Sequence, residues 1–310
     1  MEQTFLTNIE IKKVRHLENI SIPLDKNKRK HLILTGKNGS GKTSVLEELV
    51  QHFNYILSDQ FDSYDKMKED QRFYIDRIEQ AEKISDLEKR RKSIQEAKKM
   101  LEWIEDKMKN WLEGVVSNFT SYMVLREKYQ KGNFIFAYYK AEREFQVEEY
   151  KNIEKIEFQD KYSIAENPGT KFTKYLVDVK ATQAFTKNKE KAEKIDKWFQ
   201  AFEDILRRIF NDKNLQLKFD DETFQFSICE TDRDPFDFNT MSSGYSAVFD
   251  IINDLIIRME AKSGLRTEFD MEGVVLVDEI ETHLHLELQT MSVFSENQIP
   301  ENLTLQKLSA

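Results

Sequence analysis

Apolar and polar positions change rhythm several times along the chain. Ile9 and Ile11 alternate with polar neighbours, as do Ile20, Ile22 and Leu24, which predicts a half-buried antiparallel strand pair. The run "HLILT", His31 to Thr35, predicts a buried strand. Behind it Val45, Leu46, Leu49, Val50 and Phe53 share one face of a helix starting at about Thr43. From about Ser58 to Tyr129 the chain turns charged and helical, with no proline and only Gly114. Leu87, Ile94, Leu101, Met108 and Val115 recur there every seven residues, joined three residues on by Ala97, Ile104 and Trp111. Ser85 followed by Glu88 has the form of a capping box, so a turn at Lys83 to Asp86 divides the stretch into an antiparallel helical pair. Two readings of this insertion stand: a short coiled-coil arm, or a helical subdomain packed on the core.

Strand character returns in "NFIFAYYKAERE", Asn133 to Glu144, and "ENPGT", Glu166 to Thr170, marks a loop. A charged helix over about Lys187 to Phe210 buries Ala192, Ile195, Trp198, Phe199, Phe202, Ile205, Leu206 and Ile209. Leu215, Leu217 and Phe219, a "DDE" turn, then Phe224, Phe226 and Ile228 predict a β-hairpin. A long amphipathic helix follows Ser242, Ser243 and Gly244, and "GVVLVDE", Gly273 to Glu279, reads as a buried parallel strand. The organisation expected is residues 1–57 as the first part of an α/β core, 58–130 as the helical insertion, and 131–310 as the rest of the core.

Composition narrows the class. Of 310 residues 39% are hydrophobic, enough for a sizeable core. No apolar run reaches 18 residues and the N-terminus lacks a signal-peptide layout, so a cytoplasmic protein with no membrane partner is expected. The single cysteine, Cys229, excludes a disulfide framework or a Cys-x-x-Cys zinc site within one chain. A net charge of −9 gives DNA binding no support, although Lys89, Arg90, Arg91 and Lys92 form a local basic cluster.

The chemistry lies in "GKNGSGKTS", Gly36 to Ser44. Gly36, Gly41, Lys42 and Thr43 complete the G-x-x-x-x-G-K-[ST] pattern, with a strand before it and a helix after it. Glycines at 36, 39 and 41 let the backbone of Lys37, Asn38, Gly39 and Ser40 turn tightly and aim its N–H groups at phosphate oxygens. Lys42 is expected on the β- and γ-phosphates of ATP and the Thr43 hydroxyl on Mg²⁺. A glycine and serine loop without a ligand is the plainer alternative. Asp278 and Glu279 end the buried strand, where open α/β sheets bind ligands. Asp278 is the expected Mg²⁺ ligand, and Glu279 the base that orients and deprotonates water. The Ser-Ser-Gly helix start is either a second anion site or an ordinary N-cap.

The order of phosphate loop, helical insertion, Ser-Ser-Gly helix start and carboxylate strand resembles the ABC-type ATPases of the SMC and RecF group, including OLD-like and related phage-defence ATPases. The matching residues are "GKNGSGKT" at Gly36 to Thr43, "MSSGYSA" at Met241 to Ala247 and "VVLVDEIETHLH" at Val274 to His285. The resemblance implies an α/β phosphate-loop NTPase head with an antiparallel β-subdomain and a helical insertion. It also implies two heads that sandwich two ATP molecules, so that Ser242 and Gly244 act on the partner's nucleotide and the chain dimerises on ATP. A separate effector protein is implied as well. "AYYKAERE" is similar to a Y-x-x-A-E-R segment of such defence ATPases, which places Glu142 and Arg143 near the site without assigning their roles.

The sequence departs from this family at several points. Tyr245 stands where the signature usually has Gln or Glu, and Leu286 where a proline often follows. His283 and His285 fit interface residues of the loop after the carboxylate strand better than metal ligands. The family's further strand and switch histidine have no counterpart in "TMSVFSENQIPENLTLQKLSA", so the head is expected to lack its last strand and to end truncated. Three function classes follow: a dimeric ATP-hydrolysing engine, a nucleotide-gated binding module with little turnover, and a small-molecule kinase, for which neither motif supplies an acceptor pocket.

Overall fold

The computed structural model describes residues 3–109, 113–141, 153–241, 243–265, 271–279 and 305–309. The chain divides into two compact units, one of Leu6–Arg29 with Gly36–Tyr122, the other of Met1–Phe5, Lys30–Thr35 and Met123–Ala310.

In the first unit β1 (Leu6–Val14) pairs antiparallel with β2 (Leu17–Pro23), setting Ile9 opposite Ile22 and Ile11 opposite Ile20, as the alternation predicts. Helix α1 (Lys42–Leu57) buries Val45, Leu46, Leu49, Phe53 and Ile56. Helices α2 (Gln60–Glu82) and α3 (Leu87–Lys109) form the expected hairpin, turning at 83–86. Of the seam residues of α3, Ala97, Ile104 and Met108 are buried, Ile94 and Leu101 partly so, and Leu87 at the tip is 67% exposed, so the seam is buried only away from the tip. Asp86 caps α3 instead of Ser85: its Oδ1 accepts from the N–H groups of Glu88 (3.0 Å) and Lys89 (3.1 Å). Those are the second and third helical residues, which only a side chain one position before the helix reaches in this geometry.

The seam ends earlier than its spacing suggests. Val115 does not continue α3 but opens β4 (Val115–Phe119), which pairs antiparallel with the free edge of β1. Gly114 breaks the helical pattern, and the following β-branched pair favours a pleated, half-buried surface. The segment read as a helical insertion over 58–130 therefore also contains a strand, and α1 packs on that strand and on β1. Trp111 lies outside the described residues.

His52 of α1 sits inside this unit. Its Nδ1 lies 2.8 Å from Ser117 Oγ and accepts the Ser117 N–H at 3.2 Å, and burial pulls its pKa down to about 4. Between the unfolded value near 6.5 and about 4, the unfolded chain binds a proton that the folded chain refuses. Stability is therefore intact above pH 6.5 and falls with acidification by up to about 3 kcal/mol. His52→Asn retains an acceptor near Nδ1 without the titration, so its melting temperature should depend less on pH between 4 and 6.5. Superimposable pH profiles for the two proteins would contradict this.

The second unit holds a parallel sheet. Its strands are β3 (Leu32–Ile33), β5 (Phe134–Tyr139), β8 (Glu272–Val277) and β9 (Leu305–Ser309), in the spatial order β3-β9-β8-β5. Helix α4 (Tyr122–Gln130) leads into β5, and α5 (Phe172–Phe185) and α6 (Lys189–Ile209) follow it. The predicted hairpin is β6 (Gln216–Asp220) with β7 (Gln225–Cys229), setting Leu217 opposite Ile228 and Phe219 opposite Phe226. Helix α7 (Ser243–Ser263) completes the set. The core gathers Phe172, Tyr175, Trp198, Phe202 and Phe249, with Trp198 and Phe202 stacked at 5.6 Å.

Strand β9 corrects an expectation. A head without a final strand was anticipated, yet 305–309 lies between β3 and β8, pairing Leu308 with Leu276 on one side and with Leu32 on the other. The backbone groups of β3 and β8 that face each other across this slot need partners, and a five-residue segment is enough to supply them. The motif expected there was a histidine; the strand itself needs only pairing-competent backbone.

Candidate functional site

The glycine loop folds as its residues require. Gly39 and Gly41 take φ of +80° and +93°, left-handed values that glycine alone adopts without strain. Ser40 N–H donates to the Lys37 carbonyl at 3.0 Å, closing a turn, and a Cβ on Gly36 would stand 2.7 Å from Ser40 Oγ. Helix α1 begins at once. No side chain caps it, its first turn has no acidic residue, and its first internal bond runs from Val45 N–H to the Gly41 carbonyl at 3.0 Å. The N–H groups of Lys42, Thr43 and Ser44 thus have no helical acceptor, and the helix dipole adds positive potential there. Lys42 folds back over the loop, donating from Nζ to the Gly36 carbonyl at 3.1 Å. Lys37, Asn38 and Thr43 are exposed, while Ser44 is buried. Backbone donors and one ammonium around a tight turn suit an anion with several oxygens.

The carboxylates stand in the other unit. Asp278 follows β8 directly, is 1% exposed, and donates its N–H to the Tyr139 carbonyl at 2.8 Å, extending the pairing with β5 by one residue. Glu279 adopts φ +49°, where a non-glycine residue is strained. Gly244 falls in the first turn of α7. Tyr245 stacks on Phe210 at 4.5 Å and 17°, which gives a packing reason for an aromatic at the position where the resembled family has Gln or Glu. Ser242, Glu142, Arg143, His283 and His285 lie outside the described residues. The structure thus groups Gly36 to Ser44 in one unit and Asp278, Glu279 and Gly244 in the other.

Behind Asp278 is a buried polar network that the sequence reading missed. Asp254, Arg258 and Glu260 of α7 are 0%, 5% and 3% exposed. Arg258 Nε donates to Asp254 at 2.7 Å, and its other nitrogens donate to the carbonyls of Phe136 (3.2 Å), Ser163 (3.1 Å) and Glu166. Asp254 also accepts from Tyr139 Oη (2.5 Å) and Gly169 N–H (3.3 Å). Burial raises the Asp254 carboxyl above the usual range, and these donors with the Arg258 charge work against it. Glu260 accepts from the Trp198 indole at 2.9 Å and from Leu265 N–H at 2.7 Å. The available signal was Asp250, Asp254 and Arg258 at four-residue spacing on one helix face, a pattern that ordinarily marks the solvent side.

Among the described residues, no group of three or more His, Cys, Asp or Glu is placed to hold a metal by itself, and no helix is long and apolar enough to cross a membrane. The sequence matches no known family model and no curated protein.

Proposed function

We propose that the chain is a Mg²⁺-dependent ATPase with an ABC-type, phosphate-loop NTPase head, and that it dimerises on ATP. The observation that supports this most is the glycine loop, with two left-handed glycines, an uncapped helix start and Lys42 folded across it. In this reading the loop N–H groups and Lys42 hold the β- and γ-phosphates. The Thr43 hydroxyl and the Asp278 carboxylate, both hard oxygens, are the residues that would hold Mg²⁺. Mg²⁺ supplies charge neutralisation on the phosphate oxygens. Glu279 orients a water and accepts its proton as the water oxygen attacks the γ-phosphorus and ADP leaves. Ser242 and Gly244 act on the nucleotide of a second copy, and the dimer drives a separate effector in the cytoplasm. DNA as a partner has no support from a net charge of −9.

A second reading is a nucleotide-gated module that closes on ATP with little turnover.

Lys42→Ala tests the loop. Removing a charged donor to two phosphates should cost about 3 kcal/mol, or roughly 100-fold in affinity for a fluorescent ATP analogue with Mg²⁺. Unchanged affinity would end the phosphate-loop assignment.

A further inference from the structure

The polar network does more than fill space, because one residue of it touches both the backbone of Asp278 and helix α7. Tyr139 closes β5. Its carbonyl accepts the Asp278 N–H at 2.8 Å, and its hydroxyl donates to Asp254 at 2.5 Å and lies 3.5 Å from the Ile251 carbonyl, both on α7. Asp254 cannot swing away independently, since Arg258 and Gly169 N–H hold the same carboxylate and Arg258 is itself pinned to three carbonyls. The network therefore clamps α7 to the end of β5, and the Tyr139 carbonyl carries that clamp on to the backbone of Asp278.

We propose that Tyr139 is a positioning residue that couples helix α7 to the backbone that carries the Asp278 carboxylate. The distance from Asp254 back to Ser243 is about three helical turns, roughly 16 Å, over which a helix moves as a nearly rigid rod. A displacement at the start of α7 is then felt at Tyr139 and passed to the residue whose N–H its carbonyl holds. In functional terms this rests on the ATPase reading: arrival of a second chain or a phosphate at the helix start would be reported to the magnesium carboxylate. The mechanical part stands without that reading.

Tyr139→Phe removes only the hydroxyl, and hydrogen exchange on the intact chain without nucleotide reads the coupling. Exchange should rise about threefold or more over residues 274–279 and over the first turns of α7. Trp198→Phe is the control, because it cuts a different polar anchor of α7, the indole bond to Glu260. It should leave residues 274–279 at the wild-type rate. Equal acceleration of that segment in both variants, or none in Tyr139→Phe, would overturn the coupling. With MgATP, Tyr139→Phe should lower kcat by about tenfold with KM within about twofold, a split that general loosening of the fold does not produce. An unchanged kcat in a wild type that does hydrolyse ATP would also overturn it. A wild type that binds no ATP would overturn the ATPase reading alone, while the exchange result still decides the coupling.

Discussion

Glu279→Gln is expected to lower ATP turnover by about 100-fold or more while leaving MgATP affinity within about twofold, because it keeps the shape and one acceptor but removes the base. The position suits that role. Glu279 directly follows the buried Asp278 and has φ +49°. Strain of this kind costs about 1–3 kcal/mol and persists where the surroundings impose it. With hydrolysis blocked, the ATP-bound dimer should outlive that of the wild type. Phosphate release measured on both proteins, with sedimentation in ATP, checks the two halves of the expectation. Undiminished turnover would remove Glu279 from the chemistry, and a variant that remains monomeric in ATP would count against the closed dimer.

Asp254→Ala carries the largest expected loss of stability. It leaves the buried Arg258 guanidinium without its carboxylate and takes the 2.5 Å acceptor from Tyr139 Oη, while Gly169 N–H keeps Asn167 Oδ1. Breaking one side of a buried ion pair costs about 3–5 kcal/mol. For a unit of this size that is a fall of about 1–2 M in the urea midpoint, followed by fluorescence of the buried Trp198. Asp254→Asn, which keeps an acceptor oxygen, should lose clearly less. A midpoint for Asp254→Ala within about 0.2 M of wild type would show that the pair contributes little net stability, as surface pairs do.

Local periodicity made several elements legible. The two-residue alternation of Ile9 and Ile11 against Ile20 and Ile22, and of Leu217 and Phe219 against Phe226 and Ile228, produced the observed hairpins and registers. The glycine loop was legible because left-handed backbone at positions 39 and 41 admits few residues other than glycine. Elements decided by their tertiary partners were not legible. The seven-residue spacing ran through Gly114 into Val115, whose place in β4 is fixed by pairing with Ile11. Helix α5 buries Phe172, Tyr175, Leu176, Val177 and Val179, which give no clean helical periodicity in the sequence. Strand β9 is five residues long and owes its identity to β3 and β8. The carboxylate strand was read correctly, yet the network behind it was not, since a polar stripe on a helix points to solvent unless something polar covers it. Here β5 and the segment 163–169 do so.

The most direct measurement of the central claim is steady-state phosphate release from ATP, with and without Mg²⁺, beside sedimentation of the same sample with and without ATP. The account predicts Mg²⁺-dependent release that Glu279→Gln suppresses, and a shift from one chain to twice that mass when ATP is added. A chain that stays monomeric in ATP and releases no phosphate at any ATP concentration would contradict it.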